Sequence, residues 1–167
     1  AVAASTTKRP LPVPISNYTV NVLTDSTGTG LYTFCGRNAA GGQNLSVQVY
    51  YPASNTVTQL PAADNYSGAV TCTSALNVVV GNKVYLAGGF DGTNTNVQTW
   101  VFDPMAASGS RWTRLTGADL TQGLAYIMGA AVDGKVYAVG GAWFDGASLV
   151  NVTTVQVLDP AAGTPTW

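Results

Sequence analysis

Short apolar runs, each broken after a few residues by Gly, Asn, Asp or Pro, recur along the chain and predict β-strands joined by tight turns. The run Ala75-Leu76-Asn77-Val78-Val79-Val80 is nearly continuous, as expected for an inner strand buried on both faces, and Gly81-Asn82 after it predicts a hairpin turn. Ile127 to Val132 followed by Asp133-Gly134 repeats the same signal. The first fifteen residues carry Pro10, Pro12 and Pro14 and read as an extended arm.

Self-comparison turns these elements into a period. Lys83-Val84-Tyr85-Leu86-Ala87-Gly88-Gly89-Phe90-Asp91-Gly92 returns as Lys135-Val136-Tyr137-Ala138-Val139-Gly140-Gly141, followed by an inserted Ala142-Trp143 and then Phe144-Asp145-Gly146. Downstream of each copy a strand-like run closes on Asp-Pro, at Asp103-Pro104 and Asp159-Pro160, and a tryptophan follows at Trp112 and Trp167. A decayed third copy lies upstream. Leu31-Tyr32-Thr33-Phe34-Cys35-Gly36 matches the Gly-Gly segment with Cys35 in place of the first Gly. Val47 to Pro52 matches the Asp-Pro strand with Tyr51 in place of Asp, and Val57 stands near the Trp position.

These residues resemble the kelch repeat, and the resemblance covers about residues 17 to 167. It implies an all-β fold of kelch-type β-propeller blades, four antiparallel strands each, about three blades in all. Residues 1–16 are then the arm, 17–60 a degenerate blade 1, 61–115 a connection and blade 2, and 116–167 a connection and blade 3. Propellers typically close with four to eight blades, so the expectation is a part of a larger propeller, completed by further blades from the same or another chain. On such blades the Gly-Gly pairs mark close backbone approaches, and Tyr85, Tyr137, Trp112 and Trp167 supply flat surfaces between blades.

Composition narrows the function. Among 167 residues only 9% are charged, the net charge is -1 and no histidine occurs. A chain so poor in cations offers no stripe for a phosphate backbone, so nucleic acid is not an expected partner. The absence of His removes the commonest general base and metal ligand; no cofactor is expected and the reading is non-enzymatic. No apolar run approaches the roughly 20 residues of a membrane span. The start, Ala1-Val2-Ala3-Ala4, reads as a mature end left by signal cleavage or as a boundary.

The expected function is therefore an extracellular or cell-surface module that binds a protein or glycan or builds an assembly. The alternative is a fragment of a propeller enzyme, since the resemblance extends to galactose oxidase-like oxidases and sugar-active enzymes, with the catalytic residues outside this chain. The sialidase box Ser-x-Asp-x-Gly-x-x-Trp does not occur, and with only four Arg the chain fits an intracellular kelch adaptor least.

Candidate binding residues lie in the longer loops, which should all emerge at one end of the blades: Tyr66, Asp91, Tyr126, Trp143, Phe144 and Asp145. Each has a plainer reading. Trp143 can fold over blade 3 as a cap, and Asp91 and Asp145 sit in Asp-Gly turns, each loop offering one carboxylate to a calcium ion. Cys35 and Cys72, 37 positions apart, fall at the same end of the blades, so a disulfide is sterically reasonable and fits an oxidising compartment. Two buried free thiols are the other reading. Four Asn-x-Ser/Thr sequons, at Asn17, Asn44, Asn65 and Asn151, are glycosylation candidates.

Overall fold

The computed structural model describes residues 8–167. Residues 1–7, the first part of the expected arm, lie outside the described residues. In chain order the strands are β1 (Ile15–Ser16), β2 (Thr19–Thr24), β3 (Thr29–Phe34), β4 (Arg37–Asn38), β5 (Gln48–Tyr51) and β6 (Thr56–Gln59). A short 3-10 turn at Ala62–Asp64 precedes β7 (Leu76–Val80), β8 (Lys83–Ala87), β9 (Thr99–Phe102) and β10 (Trp112–Arg114). The last repeat holds β11 (Met128–Val132), β12 (Lys135–Val139), β13 (Ala142–Phe144), β14 (Leu149–Asn151) and β15 (Val155–Leu158).

They form an antiparallel sheet β2-β3-β5-β6, a second β7-β8-β9-β10 and a third β11-β12-β15. The repeat found in the sequence is thus a repeat of sheets, with the same register each time. Tyr85 faces Val78 and Val101 across its neighbours, and Tyr137 faces Ala130 and Val157. The two predicted two-residue hairpins form, with positive φ at Gly81, Asn82, Asp133 and Gly134, as the tight primed turn requires. In the first repeat the β2–β3 loop is longer. Asp25 organises it by accepting the Thr27 amide at 2.8 Å and the Gly28 amide at 3.1 Å.

The third blade departs from the expected four strands: it has three. Trp167, the counterpart of Trp112 at the start of β10, packs on the neighbouring core without joining the β11-β12-β15 sheet. The inserted Ala142-Trp143 segment instead makes its own hairpin, β13–β14.

Two hydrophobic seams hold the blades together. The first, between blades 1 and 2, gathers Leu23, Tyr32, Phe34, Val47, Val49 and Phe102 with Trp112 against them. The second, between blades 2 and 3, gathers Leu76, Val78, Ala87, Val136, Ala138 and Leu158, with Tyr85 and Trp167 at its border. Strand alternation explains the division: in β8, Val84 and Leu86 point into the first seam while Tyr85 and Ala87 point into the second. The tryptophans clamp across blades as expected. Trp112 Nε1 donates to the Asp64 carbonyl at 2.9 Å, and Trp167 Nε1 to Thr99 Oγ1 at 2.8 Å.

The Gly-Gly pairs sit where the connections cross the blades. A Cβ on Gly88 would meet the Leu124 carbonyl oxygen, and one on Gly141 would stand 2.8 Å from the Ala125 carbonyl oxygen. At Cys35 the chain keeps the left-handed backbone of the missing glycine, with φ 61°. Its side chain goes into a disulfide with Cys72, Cα to Cα 5.6 Å.

Candidate functional site at the axis end

Each blade is entered in the same way. Two residues before its innermost strand stands a non-glycine residue in the left-handed region: Asn17 with φ 52°, Ser74 with φ 58° and Tyr126 with φ 55°. Just ahead of each, Ser16, Thr73 and Ala125 hydrogen-bond or pair with Arg37, Phe90 and Ala142, the residues that follow the Gly-Gly position. The β1–β4 pair is therefore the first blade's version of a contact made in every repeat. Non-glycine side chains in this conformation cost free energy, so the surrounding pairing must hold them there.

Successive entries also bond to one another. The Ser74 amide donates to the Asn17 carbonyl at 3.4 Å and the Tyr126 amide to the Ser74 carbonyl at 2.7 Å. This backbone ladder brings the starts of the three inner strands together around a cavity of about 410 Å³, lined by Asn17, Tyr18, Thr19, Val20, Ser74, Ala75, Asn77, Tyr126, Ile127 and Met128. Tyr18 is 44% exposed and Tyr126 51% exposed at its mouth. Deeper, the Asn21 side-chain amide donates to Asn77 Oδ1 at 2.7 Å. Among the described residues the lining holds aromatic faces, amides and hydroxyls, and no carboxylate, lysine or arginine. Such a surface can stack and hydrogen-bond with a ligand.

Of the six residues singled out in the loops, only Tyr126 lies in this cavity. Tyr66 is buried, which removes it from any binding surface. Its ring meets Trp100 and Trp112 edge-on at 5.5 and 5.4 Å, its hydroxyl accepts from the Asn96 amide at 3.3 Å, and burial pushes its phenol up to about 12. Trp143 packs on the second seam, the cap reading, and Phe144 leans on Phe90 with ring centroids 5.5 Å apart.

Asp91 and Asp145 each close a turn on their own loop. Asp91 Oδ1 accepts the amides of Thr93 and Asn94 at 2.8 and 2.7 Å, and Asp145 Oδ1 accepts those of Ala147 and Ser148 at 2.8 Å each. For Asp91, burial pushes the carboxyl up, but these backbone hydrogen bonds outweigh it and hold it below the usual aspartate value. For exposed Asp145 the hydrogen bonds lead and the result is again a lowered carboxyl. No group of three or more Cys, Asp, Glu or His side chains stands together among the described residues.

The sequons divide by environment. Asn17 and Asn151 are exposed, and Asn65 is half-buried. Asn44 is buried and its side-chain nitrogen donates to the carbonyls of Cys35 and Ser46 at 2.9 and 3.2 Å, so it is corrected from a glycan acceptor to a loop brace. Asn96 braces the second blade from the equivalent place, bonded to Tyr66 and to the Val70 carbonyl. Sequence reasoning missed Tyr18 and did not recognise Asn17, Ser74 and Tyr126 as one set of entry residues. Their shared signal was position, two residues ahead of each inner strand, rather than residue type.

Comparison with known proteins agrees with this architecture. Residues 71–117 match the family model described as Kelch motif. No curated protein matches the chain. A solved structure titled "Structure of YjhT" superposes with a TM-score of 0.68 over 93% of this chain at 14% identity, and the match covers 46% of that chain. The chain thus spans about half the length of that relative, and it folds as a run of kelch-type propeller blades.

Proposed function

We propose that this chain is a non-catalytic kelch propeller module, outside the cell or on its surface, that recognises a glycan or a protein at the axis end of its loop-rich face. A kelch propeller fold supports a protein-binding or structural role in general terms. The single observation that carries the finer reading is the cavity between the three blade entries, where Tyr18 and Tyr126 present exposed rings beside the amides of Asn17 and Asn77. Rings that cover the apolar faces of a sugar or side chain, with amides to orient its polar groups, make a recognition surface on a rigid frame. The Cys35–Cys72 disulfide favours an oxidising compartment, and exposed Asn17 and Asn151 are the sequons open to glycan attachment. No helix among the described residues is long and apolar enough to cross a membrane.

The enzyme reading has one observation in its favour: the chain spans 46% of the propeller it matches, so catalytic groups would belong to blades beyond this stretch. The test is binding of the protein to an array of glycans and to a panel of purified secreted proteins, compared with Tyr18→Ala and Tyr126→Ala. The expected result is a ligand whose affinity drops about tenfold or more in each variant. A ligand bound equally well by both variants places recognition elsewhere and overturns the proposal.

A further inference from the structure

Three aspartates of the chain precede a glycine, in Asp91-Gly92, Asp133-Gly134 and Asp145-Gly146. Such a pair carries both partners of a reaction. When the glycine amide nitrogen attacks the aspartyl Cγ, a C–N bond forms, a C–O bond breaks, and the amide proton leaves with the hydroxyl as water, closing a five-membered succinimide. Water then opens either carbonyl of the ring. Opening at the original main-chain carbonyl returns the water and leaves the backbone running through the side chain, as isoaspartate. Glycine favours the attack because it has no Cβ to obstruct it.

Two of the three aspartates are tied down. Asp91 Oδ1 accepts the Thr93 and Asn94 amides, and its Oδ2 accepts from the Asn94 side chain at 3.3 Å. Asp145 Oδ1 accepts the Ala147 and Ser148 amides in the same way. Both carboxylates are held on the amides two and three residues ahead, so ring closure must first break a pair of charge-assisted hydrogen bonds. Asp133 is exposed and, among the described residues, enters no side-chain hydrogen bond and no ion pair. The nearby Lys135 reaches Asp159 instead, Nζ to Oδ2 at 3.4 Å.

The backbone sets Asp133 apart as well. It has φ 51° in its tight turn, whereas Asp91 and Asp145 are not among the positive-φ residues. The last pair of the hairpin is Val132 with Lys135, so the Gly134 amide stands beyond the ladder, with no backbone acceptor among the described residues. A side chain in the left-handed region costs free energy that the turn imposes, and a backbone lengthened by one atom relieves it.

The openness of this position belongs to the turn itself. Gly81 holds the same place in blade 2, which has a blade on each side; it is exposed, and a Cβ there would meet nothing within 4 Å. Adjacent turns touch through the second turn residue. The Asn82 side chain bonds the Thr24 amide and carbonyl at 2.8 and 2.9 Å, and Thr24 ends its strand where Val132 ends β11, ahead of the turn. A neighbouring blade therefore reaches the residue before the turn and leaves the first turn residue free.

We infer that Asp133 is the site at which the folded chain forms isoaspartate, while Asp91 and Asp145 are protected by their own loops. The product adds one backbone atom to a two-residue turn that sets the five pairs of β11 and β12. The first covalent change of the ageing protein is then a loosened hairpin in blade 3.

Peptide mapping of the full chain tests this, after the folded protein has stood for several weeks at neutral pH and body temperature. Electron-transfer fragmentation locates the isoaspartate in each Asp-Gly peptide. Position 133 should hold about tenfold or more isoaspartate than 91 or 145, where the amide hydrogen bonds must break first. In strong urea the turns no longer hold, and the three sites should convert at rates within about threefold of one another. Asp133→Glu keeps the charge but requires a slower six-membered closure. It should remove most of the methyl groups that an isoaspartyl methyltransferase transfers to the aged protein from S-adenosylmethionine. Isoaspartate arising equally at the three sites of the folded chain, or first at 91 or 145, overturns the inference. A preference for 133 that persists undiminished in urea, or methyl acceptance indifferent to Asp133→Glu, overturns it equally.

Discussion

The two seams join the same kind of blade by different chemistry. The first is aromatic and covalently closed: Phe34 and Phe102 lie 5.0 Å apart, Trp112 stands edge-on to each at 5.6 and 5.0 Å, and Cys35 is bonded to Cys72. The second is aliphatic, with Leu76, Ile127, Val136, Ala138 and Leu158 at its centre. Equivalent positions make the contrast sharp. Phe102 and Leu158 pair with Val84 and Val136 in the same register, and Cys35 and Cys72 stand where the second seam has Gly88 and Leu124. Where the first glycine of the Gly-Gly pair is lost, the contact between blade and connection becomes a disulfide. The frame is fixed by where backbones cross; the filling between them is exchangeable.

Exchanging the filling should separate the seams by size of effect. Phe102→Ala removes a buried ring with three aromatic neighbours and should cost about 3–5 kcal/mol in urea unfolding, whereas Leu158→Ala should cost about 2–3 kcal/mol. Equal losses at the two positions would mean that the aromatic cluster adds nothing beyond apolar burial.

Converting one seam into the other comes next. Cys35→Gly together with Cys72→Leu reproduces the second seam's residues in the first and should lose roughly 3–4 kcal/mol, the loop-closure contribution of a disulfide spanning this separation. Gly88→Cys with Leu124→Cys is the reverse exchange. It should form a disulfide under oxidising conditions, read by intact mass, and raise stability by a similar or smaller amount. Failure to form it would show that the two crossings differ in geometry.

The smallest effect is an acid sensitivity that the tyrosines of the first seam report. Tyr32 and Tyr51 each donate a phenolic hydrogen bond to Asp25 Oδ2 at 2.6 Å. Burial pushes this carboxyl up, but the hydrogen bonds from the two phenols and from the Thr27 and Gly28 amides outweigh it and hold it below its ordinary 3.8. Because the folded value is depressed, the stability it contributes is present above 3.8 and is lost as the pH falls through the lower folded value. The corresponding turn of blade 3, Asp133-Gly134, has no phenol on it. An acid titration followed by near-ultraviolet circular dichroism should show tyrosine signals changing below about pH 4, and Asp25→Asn should abolish that step.

Much of the blade architecture was legible because strand alternation, primed turns and Gly-Gly pairs are local requirements. A residue such as Gly81 or Asp133 meets them through its own backbone preference, so the register could be aligned by inspection. The disulfide followed from the same alignment once both cysteines fell at one end of the blades. The binding candidates fared differently. Tyr66, Trp143 and Tyr126 are all aromatic residues in loops, and nothing local separates the ring sunk between two tryptophans from the ring at the cavity mouth.

The sequence by itself determined the repeat, most of the blade strands and the turn positions, since these depend on residue type and spacing along one chain. Tertiary structure alone decided that the first seam is aromatic and the second aliphatic, that Asn44 is a brace, and that Tyr18 joins Tyr126 at the axis. Burial of a side chain is set by what other segments bring against it, and those segments come together only when the blades stack.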